Sequence, residues 1–232
     1  SADQRAGRAG RVAEGWCYRL WPESQRLEPN RRAEIAQVEL SGLALELAAW
    51  GEADLRFVDA PPRGALAAGA DLLKSLGALD ADGRITAFGK RVLALGTHPR
   101  LAAMLLAPNG AAETALACDL AALVEARDPL KGPRRDDVAA RWQALAAFRA
   151  GRAPFEASRA SLAAIDVQAK QWRRRLRCEA PPPTDAPAHR LGDLLAHAFP
   201  DRIGMQHPSD PRRYSLSNGR SARVFDDSAL FG

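Results

Sequence analysis

Apolar residues in this chain recur mostly at the three-to-four-residue spacing of helices, and only locally in alternation. Within residues 34–50, Leu40, Leu43, Leu47 and Trp50 share one helical face, and Gly51 is placed to end the helix. Pro61 and Pro62 break the pattern. Leu66, Leu73 and Leu76 then predict a helix over 64–76 that Gly77 stops. In ALDADGRIT (78–86), Asp82-Gly83 lies between two short runs and predicts a tight hairpin of two strands. Thr86 is a candidate cap for a helix over 87–95, and Pro99 opens a short helix to Leu106. Helix, helix and small hairpin form the outline of a winged helix.

Past Pro108-Asn109-Gly110 the chain reads as a helical bundle. Leu116, Leu120 and Leu123 mark a helix over 111–125, and Val138, Trp142, Leu145 and Phe148 mark one over 135–149. Leu162, Ile165, Ala169, Trp172 and Leu176 form a continuous seam over 158–177. Breaks at 127–134 and 151–155 separate these helices. APPPTDAP (180–187) has the composition of a linker. A further helix is expected over 191–199, and RRYSLSNGRSARVF (212–225) alternates like a strand pair around Ser217-Asn218-Gly219. Near the start, GWCYRLW (15–21) reads as a short strand ended by Pro22. The fold class expected is mainly α with small β elements.

Composition narrows the function classes. The chain has 232 residues, is 47% hydrophobic and 26% charged, and carries a net charge of +5. Lys74, Lys90, Lys131 and Lys170 are the only lysines, so the basic excess is arginine, whose planar fork suits phosphate. Cys17, Cys118 and Cys178 are odd in number and far apart, which predicts free thiols in a reducing compartment. No apolar run reaches membrane-spanning length and no leader pattern opens the chain, so a cytoplasmic protein is expected. His98, His189, His197 and His207 share no metal-ligand spacing with Asp, Glu or Cys. Ser215, Ser217 and Ser221 have no base beside them, and Asp136-Asp137 reads as a helix cap.

Two stretches carry candidate chemistry. QRAGRAGR (4–11) sets Arg5, Arg8 and Arg11 three apart, which places them on one side if the segment is helical. Arginines so placed can donate paired hydrogen bonds to one phosphate, as an inserted arginine does in phosphoryl transfer, and Gln4 can hold a water or phosphate oxygen. From the spacing alone, a basic glycine-rich loop facing solvent or RNA is the preferred reading. KQWRRRLRC (170–178) offers Lys170, Arg173, Arg174, Arg175 and Arg177 to a nucleic-acid backbone, with Trp172 and Leu176 in the core seam. The expected winged helix presents only Lys74 on its second helix, which favours packing over base reading.

SADQRAGRAGR resembles motif VI of the superfamily 2 DEAH-box helicases. FVDAPPRGAL, LLKSLGALDADGRIT and the run ending PRLAAML resemble their winged-helix region. LVEARDPL, AFPDRIG and RYSLSNG resemble the bacterial HrpB-like branch of that family. Ala33 stands where the family usually has proline. The resemblance implies that Arg8 and Arg11 are arginine fingers on ATP and that Gln4 serves the γ-phosphate or the attacking water. It implies residues 1–22 as the end of the second RecA-like domain, 23–107 as the winged helix and 108–179 as a ratchet-type bundle. Residues 180–188 are then a linker, and 189–232 begin an OB-like region. ATP, Mg2+ and RNA are the implied partners of an intact helicase, which is expected to act as a monomer. No G-x-x-x-x-G-K-[ST] phosphate loop and no D-E-x-H box occurs, so these 232 residues alone are expected to be inactive. The alternatives are a non-enzymatic winged-helix nucleic-acid-binding module and a helical interaction scaffold.

Overall fold

The computed structural model describes residues 2–22, 24–25, 32–51, 55–131, 136–152, 156–226, 228 and 230. The expected helix start at Arg135 and parts of the breaks at 127–134 and 151–155 lie outside the described residues. Helix α1 (Ala2–Ala9) opens the chain. The strand expected at 15–21 is not formed; the segment is extended coil without a pairing partner among the described residues. Its apolar side chains have nothing to bury against, and Trp16, Tyr18 and Leu20 are 80%, 82% and 93% exposed.

The helix expected over 34–50 is divided. A single 3-10 turn at Glu34–Ala36 precedes α2 (Ser41–Trp50). Glu39 sets the new start: its carboxylate accepts from the Ser41 N–H and the Ser41 hydroxyl, each at 2.7 Å, taking up a donor that a helix start leaves unpaired. Helix α3 (Arg63–Ser75) leads into the expected turn, where Leu79 and Ile85 form one antiparallel bridge and Gly83 adopts φ 81°. The wing is thus a single bridge rather than two full strands. Thr86 caps α4 (Ala87–Ala94), its hydroxyl accepting from the Gly89 N–H at 2.9 Å. Gly89 has to be glycine, because a Cβ there would stand 2.1 Å from the Ala78 carbonyl oxygen of the wing. Leu45, Leu73, Leu79, Val92 and Ala102 bury together as the core of this module.

Helix α5 (Pro99–Leu106) contributes to two cores at once. Ala102 belongs to the first, while Leu101, Met104 and Leu105 belong to a larger core shared with α6 (Ala111–Glu125), α7 (Val138–Arg149), α8 (Arg159–Arg175) and α9 (Ala188–Ala198). Asp137 caps α7, accepting from the Ala139 N–H at 2.8 Å. The seam Leu162, Ile165, Ala169 and Trp172 is buried as its spacing predicts. Leu191, Leu194 and Ala198 of α9 pack into the same core, so the helical body continues past the proline stretch.

The chain then forms an antiparallel sheet of β1 (Gly204–His207), β2 (Asp210–Leu216) and β3 (Ser221–Arg223), in that order. The alternating run supplied β2 and β3; β1 is too short to show a period of its own. Arg100 of α5 ties the sheet's approach to the helices. It donates to both carboxylate oxygens of Asp201, at 2.5 and 2.9 Å, and to the Ala198 carbonyl at 3.0 Å.

Candidate functional site

Helix α1 carries Gln4 and Arg8 four residues apart, hence on one face, with both side chains exposed. The helix ends at Ala9, so exposed Arg11 lies in the bend beyond it rather than on the same helical row. The chain then turns back along α1. Arg19 donates to Asp3 at 2.6 Å, and Gly15 passes so close to the end of the helix that a Cβ would lie 1.9 Å from the Ala9 carbonyl oxygen. Among the described residues, neither the Arg8 nor the Arg11 side chain forms a hydrogen bond or an ion pair. Gly7 and Gly10 face open space. A glycine inside a helix costs roughly 0.5–1 kcal/mol relative to alanine, and among the described residues nothing approaches Gly7 to offset it.

The second candidate set lies on and just beyond α8. Lys170 and Arg174 are exposed and one helical turn apart. Arg177 follows at φ 52°, in the left-handed region where glycine is the usual helix terminator. Its N–H reaches the Arg174 carbonyl at 3.1 Å and the Cys178 N–H reaches the Arg173 carbonyl at 2.9 Å, which closes the helix. Arg175 is exposed but lies over the Trp172 ring, 5.8 Å from its centroid.

Arg173 does not join this surface row. It is buried and donates to Asp119 at 3.0 Å. Asp119 is fully buried on α6, and Arg149 of α7 grips its two carboxylate oxygens at 2.7 and 2.8 Å. Arg149 also donates to Asp166 of α8 at 2.6 Å, and the Trp142 indole N–H points to Asp119 at 3.3 Å. Burial works against the charge on Arg149, but Asp119 and Asp166 outweigh it and hold the guanidinium firmly protonated. Sequence reasoning passed over this cluster. Its one signal was Asp119 itself, a carboxylate inside the apolar run ALACDLAAL.

The remaining candidates resolve into packing. Lys74 of α3 is exposed without a row of basic neighbours on its helix. His98 accepts the Arg100 N–H at 3.3 Å through Nδ1, and its Nε2 lies 2.7 Å from Glu39. Burial pushes the Glu39 carboxyl up, but the hydrogen bonds from Ser41 and His98 bring it below the usual carboxylate value. Among the described residues no group of three His, Cys, Asp or Glu is placed to hold a metal ion, and no helix is long and apolar enough to cross a membrane.

Residues 71–96, spanning the end of α3, the wing and α4, match the model of the helicase-associated domain (HA2), winged-helix. Over 99% of its length the chain is 34% identical to the ATP-dependent RNA helicase HrpB of Escherichia coli strain K12. A crystal structure of the E. coli DExH-box NTPase HrpB superposes with a TM-score of 0.70 at 33% identity, covering 98% of this chain and 26% of that one. A second crystal structure, of the E. coli DEAH/RHA helicase HrpB, gives a TM-score of 0.70 at 34% identity, covering 98% of this chain and 27% of that one. The chain therefore spans about a quarter of the length of these relatives. In sequence and in fold, over nearly its whole length, this chain is similar to a segment of E. coli HrpB.

Proposed function

We propose that this segment serves an ATP-dependent RNA helicase by presenting Arg8 and Arg11 to the γ-phosphate of an ATP held by other parts of the protein. The observation that carries the reading is the pair of exposed arginines beside open glycines, with no partner for either arginine among the described residues. An exposed guanidinium has its full set of donors available to a phosphate. As the γ-phosphoryl group leaves, negative charge spreads over its oxygens, and a guanidinium placed there stabilises that state more than the ground state. Gln4, on the Arg8 face, orients the attacking water or a phosphate oxygen. Arg8 and Arg11 provide cations but no phosphate cradle, and no G-x-x-x-x-G-K-[ST] loop occurs in the 232 residues, so in this reading the cradle and the Mg2+ ligands are supplied from elsewhere in the enzyme. The exposed apolar side chains at 16–20 are what a neighbouring domain would cover.

RNA is the substrate in this reading. Lys170, Arg174 and Arg177 track its backbone, with Arg175 beside them, and Arg173 supports the helix from inside. In the protein that also carries the phosphate loop, Arg11→Ala is expected to lower kcat about 10³-fold or more while RNA affinity changes little. Single-turnover ATP hydrolysis and equilibrium RNA binding measure the two effects, and an unchanged kcat overturns the finger assignment.

A further inference from the structure

Between α7, α8 and residues 182–185 lies a cleft of about 810 Å³, within the range of small-molecule and nucleotide sites. Its lining includes Ala146 and Ala147 of α7 and, beyond α8, Pro182 and Pro183. Two small side chains and two rigid rings make that part of the lining apolar. The lining also carries charge. Arg149 and Arg173 line the cleft, but Asp119 and Asp166 already neutralise them. Arg152 and Lys170 remain, both exposed and, among the described residues, without an ion-pair partner, against the single carboxylate of Asp185. The cleft therefore combines apolar lining with a residual positive charge. Gln143 and Thr184 add an amide and a hydroxyl that can meet the edge of a planar ring.

Lys170 belongs both to this lining and to the exposed basic row of α8. A backbone following Arg174 toward Lys170 reaches the cleft. We propose that this cleft is a nucleotide-binding pocket, taking one base against the α7 alanines and the prolines, with the attached phosphate at Lys170 and Arg152. The proposal rests on the RNA reading for the source of that nucleotide, but the pocket itself does not need it; a free nucleoside monophosphate has the same chemistry.

The test uses the 232-residue chain and its Ala147→Leu variant, which adds bulk to the apolar lining from a half-buried position, and compares three probes. These are uridine monophosphate, a fluorescent oligouridylate, and the same oligonucleotide with abasic residues. The expected result is saturable binding of the monophosphate that Ala147→Leu abolishes. The oligouridylate should bind at least about tenfold more tightly than its abasic counterpart, and Ala147→Leu should erase that difference. Circular dichroism and thermal melting of the variant confirm that it is folded; if it is not, Gln143→Ala and Thr184→Ala, at exposed or half-buried positions, are read in its place. If both oligonucleotides bind alike and the monophosphate does not bind, the pocket is overturned while the α8 row stands. If no oligonucleotide binds but the monophosphate does, and Ala147→Leu blocks it, the pocket stands and the RNA reading of α8 fails. Absence of binding by every probe overturns both.

Discussion

Asp119 is a charged residue at the centre of an otherwise apolar core, with two arginines and an indole N–H spent on it. Removing it leaves Arg149 and Arg173 charged and short of a partner, so Asp119→Ala should destabilise the chain by about 3–5 kcal/mol in denaturant unfolding. Replacing Asp119, Arg149 and Arg173 together by apolar residues should cost much less, because it leaves no unpaired charge behind. Cys118, its neighbour in sequence, shows the same interior from another side. Burial pushes its thiol up to about 12, so almost no thiolate exists at neutral pH. Exposed Cys17 should therefore react with an aromatic disulfide reagent in the native state, and Cys118 only on unfolding. A single residue's environment was hard to read in advance. Trp172 was placed in the core from its spacing and is buried there. Arg173, beside it, was read as surface because periodicity sorts apolar from polar and does not reveal a carboxylate arriving from another helix.

At the scale of the element, the helices with apolar stripes were legible almost to the residue; α6 occupies the expected 111–125. Where a helix boundary moved, a side chain outside the apolar pattern moved it, as Glu39 did for α2. The segment at 15–21 shows the opposite limit: β-forming composition cannot make a strand without a neighbour to complete its hydrogen bonds. The α1 motif was legible as chemistry but not as geometry, since nothing in the arginine spacing says that the helix stops at Ala9. For α8 the proposal gives a measurable slope. Three side chains on a single-stranded backbone correspond to a slope of about −2 in log affinity against log salt, and Lys170→Ala or Arg174→Ala should each reduce it by about 0.7. Fluorescence anisotropy across a salt series reads this directly, and an unaltered slope removes that side chain from the interface.

Among the described residues, the Arg100–Asp201 pair ties together positions 101 apart in the chain. The Arg100 guanidinium, above all through its hydrogen bonds, holds the Asp201 carboxyl below its ordinary value of 3.8, with burial acting in the other direction. A carboxyl whose folded value is depressed contributes stability that is fully present above the unfolded value and is lost as pH falls through the folded one. Asp201→Asn should therefore be less stable than the parent at neutral pH, and the gap should close as pH falls below about 3.8. Unfolding curves collected from pH 7 to pH 2 measure it, and a gap that stays constant with pH rules the ion pair out as its source.

Helix α5 buries six of its eight residues and shares them between the winged-helix core and the bundle core. Neither core is complete without this helix. A cavity cut into α5 therefore cannot be confined to one module: Met104→Ala should loosen the bundle directly, and any shift of the helix that fills the void carries Ala102 away from the winged-helix core.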